Sequence, residues 1–395
     1  MANTLKFGNG QWATKVGSTL AYNDEGGNFK PLPFNFTRST SATRVNKDGL
    51  IEVVTNNKPR IDFLNDSNGA LLLEPQRTNS LLYSNEFTYV GWSKASAGTG
   101  STPVVTGNYA VSPDGSQNAD RLQLNKGSGT TSSDYSFLYE TVTSVGTGSI
   151  SIWMKSNDSS TYKVALRVLN YVVCDVTPEW QRFELNNQAS TNEIQVMLRG
   201  TYGTSDSADI LIYGAQLEKG SYATSYIPTQ GSIGTRTVEY SKILNQPILK
   251  ATNKFTMFFD APKFLEINGG VGSFDSIMLN LGAAESAYDG GGGLHIYNNF
   301  WYYFDGSVAT DIGICYNSLT DSKFAISYDG TSFHKYANGV KIGSIALSAS
   351  MVNWDTFQTG AMADAGLDER SWNLKNLKLY NTALTDQELI NLTTI

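Results

Sequence analysis

The chain has 395 residues, enough for two or three domains with sizeable cores. Only 16% are charged and the formal net charge is −7, with no basic run or basic–aromatic cluster, which argues against nucleic acid as a partner. No run reaches transmembrane length, so membrane insertion is not expected. The 37 Gly, 21 Tyr and 18 Phe beside abundant Ser and Thr describe a β-rich protein with neutral polar loops.

Residues 1 to 33 carry Leu5, Phe7, Trp12, Val16, Leu20 and Tyr22, broken by Gly and by Asn23-Asp24-Glu25-Gly26-Gly27, and read as two short strands and a turn. A segment this small buries no core alone and should pack on the rest of the chain or on another chain. The first residues lack the apolar run of a secretory signal, so synthesis in a cytoplasm is expected.

In residues 34 to 86, Lys47-Asp48-Gly49 is a turn signal between Ala42–Val45 and Leu50–Val54 and predicts a β-hairpin. Arg38, Arg44, Arg60 and Arg77 stand among β-formers and short polar residues. A guanidinium fork ties several carbonyls or a carboxylate together, so these arginines read as staples of irregular backbone rather than ligand groups.

Residues 87 to 240 alternate short strands with Gly/Ser/Asn/Asp clusters: 121–124, 136–142, 149–155, 162–169, 181–185, 193–199 and 209–214. Such spacing predicts a sandwich or jelly roll. Trp153 and Trp180 fall at strand positions, where a core role outweighs stacking on a sugar. Asp114, Asp209 and Glu218 carry only a weak calcium signal, since calcium takes six to eight oxygens and no compact ligand loop is present. Ile227 to Ser232 is rich in turn formers and marks a boundary.

Residues 241 to 395 give further strands at 254–260, 276–281, 293–297, 300–304 and 323–330, with hairpin turns at Asp329-Gly330 and Asn338-Gly339. Thr385 with Glu388 three residues on is a capping box for a closing helix. The row Phe300-Trp301-Tyr302-Tyr303-Phe304 must split between the two faces of a strand. One set faces the core, and the other faces outward, to a neighbouring chain or a sugar. Trp301, Tyr303 and Trp354 are therefore the carbohydrate-binding candidates, with Trp372 secondary.

Catalytic chemistry is not expected. Cys174 and Cys315 lie in separate strand-like runs and read as buried free thiols, and His295 and His334 lack any zinc-ligand spacing. No nucleophile elbow or phosphate loop occurs. A glycoside hydrolase needs two facing carboxylates. The Glu-x-Asp-x-x-Glu pattern that such enzymes carry on sandwich folds is missing, and Asp368-Glu369 reads as a solvated turn. No catalytic residue, metal or cofactor is assigned.

Two groups of phrases each carry a resemblance. "FTRSTSATRVNKDGLIE", "PRIDF" and "LLLEPQRTNSLLYSNEF", followed by "YGAQLE" at 213–218, "YATSYIPT" at 222–229 and Thr235-Arg236, resemble a segment of tailed-bacteriophage structural proteins that precedes and closes a carbohydrate-binding-module-like jelly roll. "KFAISYDGTSFHKYANGVKIGSIAL" and the ending from Asn376 to Leu392 resemble a laminin-G-like, concanavalin-A-like sandwich. The resemblance implies an all-β chain with two jelly-roll/β-sandwich domains in tandem. Its segments would be a virion-attachment segment at 1–33, in which Leu5, Phe7 and Trp12 are the attachment candidates, a hairpin connector at 34–86, the jelly roll at 87–240 and the second sandwich at 241–395. It implies a virion structural protein on the particle surface, as head fibre, capsid decoration or tail fibre, made in the host cytoplasm. Its partners would be other virion proteins of capsid or tail, its own copies as a homo-oligomer (a trimer foremost) and cell-surface glycans. A glycan-degrading depolymerase or a dedicated receptor-binding lectin is the alternative.

Overall fold

In the computed structural model the residues described are 35–243 without a break, and the shorter stretches 4–7, 12–14, 20–23, 29–31, 253–261, 263–265, 277–280, 293–297, 300–305, 307–314, 323–348, 356–360, 371–380 and 382–395. They are almost wholly β, with one α-helix among them, Asp386–Thr393. The chain divides into two compact units. One comprises 48–53 and 77–236, and the other 1–47, 54–76 and 237–395.

The unit built on 77–236 is a sandwich of two five-stranded antiparallel sheets. The first runs in the order Ser93–Ala97, Tyr135–Thr141, Glu193–Arg199, Tyr162–Arg167, Tyr171–Val176. The second runs Ser101–Ala110, Ala119–Asn125, Ser207–Lys219, Gly148–Ser156, Gln181–Gln188. Successive strands cross between the sheets except at two hairpins, Ser101–Ala110 with Ala119–Asn125 and Tyr162–Arg167 with Tyr171–Val176. Period-two alternation decides what faces inward. Leu138, Leu166, Ile194, Val196 and Leu198 of the first sheet meet Leu122, Ile150, Ile152, Ile210 and Leu217 of the second in one core. Each such side chain contributes about 1.5–3 kcal/mol when fully buried. Cys174 lies in this core, and burial pushes its thiol up to about 12.

The second unit is also a sandwich. One sheet has six strands, in the order Thr4–Phe7, Asn376–Tyr380, Phe255–Asp260, Lys323–Tyr328, Ser332–Ala337, Val340–Ala346. The other has seven, in the order Ala309–Ile314, Phe300–Phe304, Gly293–Tyr297, Ile277–Asn280, Thr356–Gly360, Tyr240–Ile243, Asn35–Thr37. Phe259, Phe324 and Ile326 pack with Leu294, Ile296 and Trp301 between them. The helix lays Leu389 on Phe258, Ala325 and Tyr336, on the far side of the six-stranded sheet. Its N-terminus carries the expected capping box of Thr385 and Glu388.

The compact units divide the chain differently from the four segments expected. Residues 34–86 form no connector of their own. Asn35–Thr37 extends the seven-stranded sheet, and Ala70–Leu73 pairs with Arg60–Asp62 on one side and with Ser371–Leu374 on the other. From Arg77 onward the chain belongs to the other sandwich. The expected hairpin of Ala42–Val45 and Ile51–Val54 forms, with Gly49 at φ +80° in its turn. Thr4–Phe7 runs antiparallel along Asn376–Tyr380, so the strand holding Leu5 and Phe7 is an edge strand of its own chain's sheet. The strand Trp12–Thr14 forms a three-stranded sheet with Leu20–Asn23 and Phe29–Pro31.

The jelly roll is thus inserted between Gln76 and Thr237 of the other sandwich. On the host side the two chain ends meet where the Glu239 N–H donates to the Glu74 carbonyl at 3.1 Å. On the inserted side Arg77–Asn79 pairs antiparallel with Gly234–Arg236.

Candidate functional site

The arginines of the 34–86 phrase are structural. Arg38 and Arg60 are fully buried. Arg38 donates to the carbonyls of Thr40, Val54, Thr55 and Lys58 and, at 2.6 Å, to Glu239 Oε1. Arg60 donates to the Thr43 carbonyl, to Glu74 Oε2 at 2.8 Å and to both oxygens of Glu239. Burial by itself pulls the Arg60 guanidinium down, but the charges of Glu239 and Glu74 reverse that and hold it above its ordinary value.

The closing phrases are structural too, and they cover one face of the jelly roll. Gln216 and Glu218 point outward from the second sheet yet are fully buried, because residues 220–236 lie over them. Glu218 accepts from Gln216 Nε2 at 2.7 Å, from the Thr224 N–H at 2.8 Å and from Thr224 Oγ1 at 2.7 Å. Asn79 Nδ2 donates to the Ala215 and Ile227 carbonyls, and Ser84 Oγ meets Tyr226 OH at 2.6 Å. Gly220, at φ +135°, passes so close to Arg77 that a Cβ there would lie 2.8 Å from the guanidinium. The motif thus seals one face of the sandwich.

The three carboxylates weighed for calcium are employed separately. Asp114 accepts from the Ser116 N–H, Asn118 and Tyr213 OH, Asp209 pairs with Arg121, and Glu218 is held as described. Among the described residues no group of three or more candidate ligands converges.

The structure corrects the aromatic assignment in the C-terminal sandwich. Trp301 is fully buried in the core, its ring 6.3 Å from that of Phe259, and Tyr303 shares its inward face and burial. Neither reaches solvent, so neither offers a face to a sugar. Two large apolar rings on the inward register of a central strand are taken up by the core. The candidate Trp354 lies outside the described residues, and the side chains of Leu5, Phe7 and Trp12 are likewise not described.

Asp329 Oδ2, His334 and Ser344 Oγ line up at 3.0 and 2.9 Å, the order of a catalytic relay. Ser344 sits exposed in mid-strand across from His334. A nucleophile of this type is held at a sharp turn beside oxyanion donors, so the line is a cross-strand hydrogen bond tied to a turn.

Aromatics gather on the outer face of the first jelly-roll sheet, over a centre in which Ala165, Gln195 and Met197 are buried. Along Tyr135–Thr141 the residues Ser136, Leu138 and Glu140 turn inward, which puts Tyr135, Phe137 and Tyr139 outward and half-buried. Their ring centroids are 5.2 and 5.3 Å apart, with planes tilted by 41° and 55°. The register places Ala95 and Met197 beside Phe137, Ser93 and Gln195 beside Tyr139, and Ala97 and Arg199 beside Tyr135. On the edge strand three places from the ladder, Tyr171 stacks on Tyr202 at 4.0 Å and 13°. The loop after Arg199 brings Tyr202 back over the sheet. Gly203, at φ +60°, rests so closely that a Cβ would lie 2.8 Å from both the Ala165 nitrogen and the Met197 carbonyl oxygen.

The polar groups of this face are unevenly paired. Arg167 donates to Gln195 Oε1 at 2.9 Å and lies 3.6 Å from Glu193, and Lys163 pairs with Asp175 at 2.6 Å. Arg199 donates to the Ser132 carbonyl at 2.6 Å and to Tyr202 OH at 3.2 Å, and its guanidinium stands 5.5 Å from the Tyr135 ring centroid. The sequence reading places this strand but passes over its aromatics. The signal was Tyr-x-Phe-x-Tyr, three rings on the face opposite Leu138, which the core cannot take up.

No protein-family model matches the chain, and no curated protein does. Solved structures give partial likenesses. The carbohydrate-binding module CBM40 of the Ruminococcus gnavus IT-sialidase, bound to α2,3 sialyllactose, is 16% identical over 37% of this chain and 85% of its own, with a TM-score of 0.29. The family 11 carbohydrate-binding module from Clostridium thermocellum is 10% identical over 38% and 98%, at 0.27. Domain 4 of the Geobacillus stearothermophilus arabinanase AbnA is 14% identical over 40% and 73%, at 0.29. At these values a likeness carries no function across.

Proposed function

We propose that this chain is a non-catalytic glycan-binding protein and that the outer face of the first jelly-roll sheet is its binding surface. The carrying observation is the ladder Tyr135–Phe137–Tyr139, three half-buried rings in a row on the outward register of one sheet strand. A sugar ring presents an apolar C–H face that gains dispersion on an aromatic ring, while its hydroxyls need donors and acceptors at the rim. The hydroxyls of Tyr135, Tyr139 and Tyr202, all half-buried, supply such groups in and beside the ladder. From strand geometry the ladder spans about 13 Å, room for about two or three sugar rings. The tilts of 41° and 55° make the rings fan with the sheet twist, which suits a twisted, soluble chain better than a flat crystalline surface. A glycan array on the full chain tests this. Binding should be saturable and fall about three- to tenfold for Phe137→Ala and for Tyr139→Ala with unchanged melting. Absence of binding, or binding untouched by both variants, overturns it.

The phrases at 34–86 and 213–236 support display on a tailed-phage particle, head or tail, as a homo-oligomer contacting other virion proteins. Antibody labelling of purified particles tests that placement, and particles that carry no label refute it. Release of reducing ends from a bound glycan would favour the depolymerase alternative.

A further inference from the structure

We infer that the ladder takes an anionic glycan and that Arg199 is the residue that meets its acidic group, an inference that rests on the glycan-binding reading above. The cations of this face differ in how they are satisfied. Arg167 lies beside Glu193 and Lys163 pairs with Asp175. Arg199 has no carboxylate within ion-pair distance among the described residues. Its partners there are the Ser132 carbonyl, the Tyr202 hydroxyl and the rings of Tyr135 and Tyr202. Asp134, just before the neighbouring strand, has both carboxylate oxygens bonded to Thr99 and Thr131.

The bonds that Arg199 does make fix its plane. Nε is held by Ser132 and Nη1 by Tyr202, while Nη2 makes no hydrogen bond among the described residues. A guanidinium braced at two nitrogens and placed between two rings has already lost most of its rotamer freedom, so it binds a carboxylate at low entropic cost. It stands at the Tyr135 end of the ladder, directly across the register. A sugar on Tyr135 therefore carries its exocyclic substituent past this fork. The chain as a whole is negative, at −7, which repels anions at long range. At physiological salt that repulsion is screened beyond about 8 Å, and the local cation decides.

The test uses the full-length chain with hexuronate and nonulosonate trisaccharides, each beside its carboxyl-reduced counterpart, which keeps the rings and removes the charge. The acidic member of at least one pair should bind about tenfold or more tightly, with a preference that shrinks as salt rises. Arg199→Gln should abolish the preference, weakening the acidic member about tenfold more than its reduced counterpart. Arg199→Lys, which keeps the charge without the fork, should retain part of it, and both variants are checked by thermal melt. Equal binding of acidic and reduced sugars, or an Arg199→Gln loss equal for both, overturns this inference while leaving the ladder as the binding surface. If neither acidic nor neutral sugars bind, the glycan-binding reading itself fails, and this one with it.

Discussion

Replacing Glu239 by Ala should cripple the host sandwich although the residue has no exposed surface. Its carboxylate accepts from Arg38, from Arg60 at two positions and from the Glu74 N–H, and both arginines are fully buried. Removal leaves two interior guanidiniums short of an anion. Breaking one buried pair costs about 3–5 kcal/mol. The loss is not doubled, because Arg60 keeps Glu74 and Arg38 keeps its carbonyls. A net loss of about 4 kcal/mol follows, a large share of a total near 5–15 kcal/mol. For a domain of this size that corresponds to a fall of roughly 8–16 °C in melting temperature. Urea unfolding and calorimetry on the full chain would measure it. Glu239→Gln should fall on the same side, since the missing quantity is charge. Glu193→Ala, which removes a half-exposed partner of Arg167, is the control and should cost under about 1 kcal/mol. A Glu239→Ala protein within about 1 kcal/mol of the parent would refute the claim that this cluster fastens the insertion point.

Trp301→Ala should destabilise by about 3–5 kcal/mol and leave sugar affinity alone, as titration calorimetry on the folded fraction would show. Gly203→Ala should cost about 1–3 kcal/mol, because a Cβ at φ +60° meets two backbone atoms. It should also lift Tyr202 off Tyr171 and weaken sugar binding, which a paired melt and binding assay would separate from plain unfolding. Hydrogen bonds from Thr131 and Thr99 hold the Asp134 carboxyl well below its ordinary 3.8. Its contribution to stability is present above that value and lost as pH falls below it, so Asp134→Asn should flatten the acid side of a urea-midpoint profile. Glu140 works in the opposite direction. Burial pushes its carboxyl above the ordinary 4.5, so stability declines as pH rises through that region, and Glu140→Gln should remove the decline.

Much of the fold was legible because its determinants are local. The Asp329-Gly330 and Asn338-Gly339 turns, the Thr385 cap and the alternation along 193–199 each declare themselves within a few residues. The site was only half legible. A period-two row of rings shows which residues share a face, but not which face the core claims. Trp301 and Phe137 look alike in sequence, and only the packing of Phe259 and Phe324 against the Trp301 strand tells them apart. The domain boundaries were hidden for another reason. The pairing of Asn35–Thr37 with Tyr240–Ile243 spans the whole inserted sandwich, and no local pattern records so distant a partner.

That long-range pairing also sets an order in time. Thr4 pairs with Tyr380, so a strand made early waits for one made much later before its backbone is satisfied. The jelly roll has no such delay, since its ten strands lie together between Ser93 and Lys219. It is able to assemble while the rest of the host is still being made, whereas the host closes only once Asn376–Tyr380 has emerged, and slowly, as distant contacts dictate. Newly made chains should therefore pass through a stage in which the inserted sandwich resists protease and residues 1–47 do not.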